Sequence, residues 1–173
     1  MAFDQVSLFF YPPRWERYSV ADARMKHYSG EPVRIVSAIR AEDSNGPTVS
    51  LEDLCRWFEA KGFQVVTRSA DYALFHSATV ESTLGHRAEI DVSASAQDGE
   101  VTSLYCRFQL NRESPLRLER WEAFRQELCA VFSLRIGVSD SESVGSEEFL
   151  TIVRQTDNWR YFAEQFGWPQ PFE

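Results

Sequence analysis

The segment His86–Leu110, HRAEIDVSASAQDGEVTSLYCRFQL, decides the fold. From His86 to Ala94 the chain alternates. Ala88, Ile90, Val92 and Ala94 fall on one side, and Arg87, Glu89, Asp91 and Ser93 on the other. Val101 to Leu110 repeats the pattern, with Leu104, Cys106, Phe108 and Leu110 opposite Ser103, Tyr105, Arg107 and Gln109. A period of two with one apolar face marks half-buried antiparallel strands. The two patterns constrain the turn between them. A two-residue loop at Asp98-Gly99 pairs Ser93 with Leu104 and sets a polar side chain on the apolar face. A three-residue loop, Gln97-Asp98-Gly99, removes that conflict, with Gly99 in the left-handed position. This register predicts Glu89 opposite Arg107 and Asp91 opposite Tyr105.

A helix follows at once. Ser114-Pro115 reads as N-cap and first helical residue. Leu118, Trp121, Phe124, Leu128, Val131 and Phe132 recur at helical spacing and form the stripe expected to cover the apolar sheet face.

Upstream, Ser50-Leu51-Glu52-Asp53 opens a second helix, with Leu51, Leu54, Cys55 and Phe58 inward and Gly62 just past its end. Phe63–Arg68 and Tyr72–Ala78 read as strands that lead through a loop, Glu81–Gly85, to the central hairpin. Further back, Gln5–Tyr11 and Val33–Ala41 are strands, the first with Val6, Leu8 and Phe10 alternating. Arg14–Gly30 mixes aromatics with charges, and a short helix opens there at Ser19 or Asp22. Downstream, Leu134–Val138 is a short strand and Ser139–Gly145 a polar loop. Ser146-Glu147-Glu148 starts a helix with Phe149, Ile152 and Val153 inward. Trp159, Phe162 and Phe166 form a last stripe closed by Gly167, and the aromatics of the Trp168–Phe172 tail pack back on the body. Strands flanked by helices in this order predict an α+β fold: a mostly antiparallel sheet of about five to six strands with helices on one face.

The chain has 173 residues, which suits one domain over 1–173, with N-terminal strands to 48, a helix–four strands–helix core over 49–132 and a helical segment from 133. A chain of this length buries roughly 70% of its unfolded surface and needs no staples. Net charge is −8, which argues against a general nucleic-acid binder and suits a cytoplasmic protein or one with a basic partner. Cys55, Cys106 and Cys129 are an odd number at no metal-ligand spacing and lie on or near apolar stripes. No basic-then-apolar leader opens the sequence, and no stretch is long enough to span a bilayer.

Candidate chemistry is sparse. Glu89 and Asp91 stand at i and i+2, where two carboxylates can share a divalent cation. The string Arg87-Ala88-Glu89-Ile90-Asp91-Val92 resembles the acidic strand of restriction-endonuclease-like nucleases, which implies metal-dependent hydrolysis. The chain departs from that family on the next strand, where Arg107 and Gln109 stand in place of an acid and a lysine. A Cys106–His76 dyad would need the thiol on an exposed, electropositive face, whereas the alternation turns Cys106 inward. No catalytic residue, cofactor or metal site is expected. The polar sheet face is the leading surface, with Arg87, Glu89, Asp91, Tyr105, Arg107 and Gln109, because Tyr and Arg are enriched at interfaces. It points to a non-enzymatic protein-binding domain, a regulator or an immunity-type inhibitor of a basic effector. The acidic run Asp140, Glu142, Glu147 and Glu148 is a second contact for such a partner. The competing expectation is a small ligand-binding domain or enzyme with its site near His76, His86, Glu89 and Asp91.

Overall fold

The computed structural model describes residues 4–26, 30, 32–40, 46–82, 85–137, 143–144 and 149–168. The acidic run Asp140, Glu142, Glu147 and Glu148 lies outside them. So do the helix start at Ser146, Val138 and the tail beyond Trp168.

The fold is α+β, and its main sheet is antiparallel, as the patterns predict. Its strands are β1 (Gln5–Tyr11), β4 (Gln64–Arg68), β5 (Tyr72–His76), β8 (Ile90–Gln97), β9 (Glu100–Gln109), β10 (Arg135–Gly137) and β11 (Ser143–Val144). They lie in the order β11-β10-β1-β9-β8-β5-β4, so β9 and β8 are central. Two hairpins stand beside this sheet: β2 (Trp15–Lys26) with β3 (Pro32–Arg40), and β6 (Thr79–Ser82) with β7 (Gly85–Ala88). Both correct the sequence reading. The expected short helix within Arg14–Gly30 is a long strand, because pairing with β3 from Trp15↔Arg40 to Asp22↔Val33 outweighs the local polar starts. Of the expected loop at Glu81–Gly85, Glu81 and Ser82 belong to β6 and Gly85 to β7, and Thr83 and Leu84 lie outside the described residues.

The helices are α1 (Leu51–Ala60), α2 (Ser114–Phe132), α3 (Phe149–Gln155) and α4 (Asp157–Phe166). For α1 the local chemistry is as the sequence predicts. Ser50 Oγ accepts from Asp53 N at 3.0 Å, and Glu52 and Asp53 occupy the first turn. Gly62, at φ +86°, follows its end. Thr156 caps α4 by accepting from Trp159 N, and Gly167 closes it.

Helix α2 departs from expectation at both ends and in the middle. Ser114 is not the cap but the first helical residue. It is fully buried, and its Oγ accepts from Asn111 N at 2.8 Å. The inward stripe is Leu118, Trp121, Arg125 and Leu128. Phe124 and Phe132 flank it against Trp57, with ring centroids 6.1 and 6.0 Å away. Val131 is 55% exposed because the stripe continues to Phe132 instead. Arg125 is buried where apolar spacing predicts nothing charged. It is matched there by an ion pair to Glu122 and by the ring of Phe149, 5.6 Å from its guanidinium.

One core joins the helices to a single face of the sheet. Phe58 of α1 stacks on Phe75 of β5 at 4.2 Å, and Phe108 of β9 packs on Trp121 at 5.1 Å and on Phe149 at 5.8 Å. Each such ring, fully buried, contributes about 1.5–3 kcal/mol.

The central hairpin resolves its parity conflict in an unexpected place. The turn is the tight one: Gln97 pairs with Glu100, and Asp98 and Gly99 both take positive φ, 51° and 78°. The register then shifts between Ala96↔Val101 and Ser95↔Ser103, so Thr102 is a bulge. Its Oγ1 donates to Ser95 O at 3.3 Å. Ser93 consequently faces Tyr105 and not Leu104, which keeps the apolar faces together. The predicted pairs, Glu89 with Arg107 and Asp91 with Tyr105, are replaced by Asp91↔Arg107 and Ser93↔Tyr105. A tertiary clamp holds the tight turn: Leu51 N donates to Gly99 O at 2.9 Å, and Val101 N to Val49 O at 2.7 Å.

Candidate functional site

The sheet face away from the helices carries the most organised polar cluster among the described residues. Strand register sets it in two rows. Ser7, Arg107, Asp91, His76 and Gln64 occupy one, and Phe9, Tyr105, Ser93, Leu74 and Thr67 the next. These rows follow from the same alternation that turns Leu8, Cys106, Val92 and Phe75 into the core.

Arg107 is the hub. Its Nη2 donates to Asp91 Oδ1 and, at 2.9 Å, to Ser93 Oγ. Its guanidinium lies 5.1 Å from the centre of the Tyr105 ring. Tyr105 in turn packs on Phe9 at 4.6 Å, and Phe9 stacks with Tyr11 at 6.4 Å. On the other side of the hub, His76 Nε2 is 3.2 Å from Asp91 Oδ2. Phe9, Tyr105, Arg107, Asp91 and His76 thus form a continuous chain of contacts across β1, β9, β8 and β5. The side chains of Arg107 and Asp91 are 26% and 20% exposed. At that depth an ion pair is screened less than a pair at the open surface.

Of the six sheet-face residues that the sequence nominates, Asp91, Tyr105 and Arg107 come together. The other three do not join them. Arg87 is exposed on β7, opposite Val80, outside the main sheet. Gln109 is fully buried, and its Nε2 donates to Asp4 O at 2.7 Å. Glu89 occupies a bend between β7 and β8 and turns toward α2, where Trp121 Nε1 donates to its Oε1 at 2.9 Å and Arg120 Nε at 3.2 Å. Glu89 and Asp91 therefore cannot share a cation, and the likeness to an acidic nuclease strand ends there. Among the described residues no group of three or more His, Cys, Asp or Glu is placed to hold a metal ion.

Phe9 and Ser93 join the site although neither was nominated. Both were legible: Phe9 is odd in the same alternation that turns Val6, Leu8 and Phe10 inward, and Ser93 shares the Asp91 parity.

Of the alternative set, His76 and Asp91 meet, while His86 is exposed on β7 opposite Glu81. Cys106 is fully buried on the core side and His76 is on the open side, so they form no dyad. Burial pushes the Cys106 thiol well above its ordinary range. Burial likewise raises Cys129 to about 11 and, partly offset by Arg68, raises Cys55. Protonated, enclosed thiols are poor nucleophiles at neutral pH.

Comparison of the chain with protein-family models, curated proteins and solved structures finds no match. Among the described residues no helix is long and apolar enough to cross a membrane.

Proposed function

We propose that the chain is a non-enzymatic protein-binding domain that regulates or inhibits a basic partner, in the manner of an immunity-type protein, through the open sheet face. The observation that carries this reading is the contact chain from Phe9 through Tyr105 and Arg107 to Asp91 and His76. Aromatic rings beside an arginine are what interface centres are built from. Here they are held by strand register and by one another, so docking immobilises few new rotamers. The net charge of −8 favours encounter with a basic protein and predicts a rate that falls with salt.

A second reading rests on the His76–Asp91 pair at 3.2 Å, a geometry that serves proton transfer. That pair sits on the open sheet face, where side-chain exposures of 35% and 20% leave both groups in contact with water.

The test compares partners captured from native lysate by the wild-type chain and by Tyr105→Ala and Arg107→Ala. The expected result is a basic protein retained at low salt, released at high salt, and lost by both variants while their thermal midpoints stay near wild type. Identical capture by all three chains would sink the proposal. So would an empty wild-type capture alongside a small metabolite that raises the midpoint.

A further inference from the structure

A separate cleft of about 520 Å³ opens where β9 runs into α2, walled by the β6–β7 hairpin and by α4. That volume falls within the roughly 300–1,000 Å³ typical of small-molecule sites. None of His76, His86, Glu89 or Asp91 lines it.

Its floor is rigid. Asn111 Nδ2 donates to Glu81 O at 2.9 Å, tying the hairpin to the start of α2. Asn111 Oδ1 accepts from Glu113 N, and Asn111 N donates to Ser114 Oγ. One wall is apolar, formed by Leu110, Phe162 and Phe166. Two arginines also line the cleft. The Arg112 guanidinium lies over the Phe166 ring, 5.3 Å from its centre. Arg117 donates through Nη2 to Glu113 Oε2 at 2.6 Å, yet its Nη1 is buried with no acceptor among the described residues.

Buried guanidinium N–H groups ordinarily find an acceptor, and Arg117 has five donors in a planar fork to satisfy. Glu113 is already committed to the Nη2 end. What the cleft lacks is a second planar anion, and an apolar wall stands within reach of it. We infer that this cleft binds a small organic carboxylate with an apolar body. The carboxylate sits against Arg117 and Arg112, where fork-to-carboxylate geometry is strongest. The apolar body packs on Phe162 and Phe166. This site is distinct from the open sheet face and stands whether or not that face binds a protein.

The probes are benzoate and its neutral and cationic counterparts, benzyl alcohol and benzylamine, titrated calorimetrically into the full chain. The amine is included because Glu81 also lines the cleft. Benzoate is expected to bind saturably and at least about tenfold more tightly than either analogue. Amide shift changes should centre on Asn111, Arg112 and Phe166. Arg117→Gln and Arg112→Gln should each weaken benzoate about fivefold or more, with circular dichroism reporting the fold. Arg112 is exposed, so R112Q tests the site even if R117Q unfolds the helix start. The inference is overturned if benzoate does not saturate by roughly 10 mM. It is overturned equally if benzylamine or the alcohol binds as well, if the shifts centre elsewhere, or if R112Q leaves the affinity unchanged.

Discussion

Glu89 and Asp91 stand two residues apart, carry the same charge, and end in opposite environments. Glu89 is buried beneath α2, where an indole and a guanidinium converge on one carboxylate oxygen. Asp91 lies partly exposed on the open face, shared between Arg107 and His76. The first carboxylate completes a core and the second organises a surface. The difference arises from a single interruption of the strand at Glu89, which turns that side chain toward the helices. Spacing along a chain places two side chains together only while the strand between them is unbroken.

The sharpest way to break this contrast is to cut each side of the sheet at neighbouring positions. Phe75→Ala removes the ring stacked on Phe58 and should cost about 3–5 kcal/mol in urea denaturation. His76→Ala, the next residue but on the open face, should cost under about 1 kcal/mol. Similar losses for the two would mean that the open face is covered by the chain itself.

The carboxylates come next. Glu89→Ala leaves the Trp121 indole N–H buried without an acceptor and should cost about 1–3 kcal/mol, with Glu89→Gln recovering part of it. The same denaturation series with Asp91→Ala should show a smaller loss, about 1 kcal/mol, since water still reaches the Arg107 and His76 side chains it leaves behind. If Asp91→Ala were the more costly, the assignment of core and surface roles would be reversed.

The smallest effect concerns the thiols. Burial raises Cys129 to about 11. The folded chain therefore holds that proton more tightly than the unfolded chain does. The associated stability is full below the ordinary thiol range and is lost as pH rises from there through about 11. Denaturation midpoints should decline across that window. Alkylation of the native chain near neutral pH should be slow beside that of the unfolded chain, and fast labelling would place Cys129 at the surface.

Much of the fold was legible because its signals are local. The caps of α1, the period of β1, β8 and β9, and Trp159 and Phe162 of the α4 stripe each follow from a few consecutive residues, whereas Phe166 is 38% exposed and Ala163 is buried in its stead. The strand β2 was not legible, because its residues form a strand only by pairing with β3. Arg125 was missed for a related reason. Apolar spacing cannot foresee that Glu122 and Phe149 will enclose a guanidinium. Half of the nominated site came together for the reason given, alternation on the central strands. Arg87 and Glu89 left it at the break near residue 89, and Gln109 left it where the strand end is covered by the backbone of Asp4.

By itself the sequence determined the α+β class, the antiparallel sheet and which residues of each central strand share a face. Backbone geometry sets these, since side chains alternate on any strand and a polar–apolar pattern selects the face to bury. Only the tertiary structure decided the register. The need for an odd offset was legible, but its location at Thr102 came from the clamp of Val49 and Leu51 on the turn, residues about fifty positions away along the chain. Moving the bulge from the loop into the strand keeps every apolar side chain on its face while sliding the partners by two. Parity is local chemistry; which arginine meets which aspartate depends on contacts between distant segments.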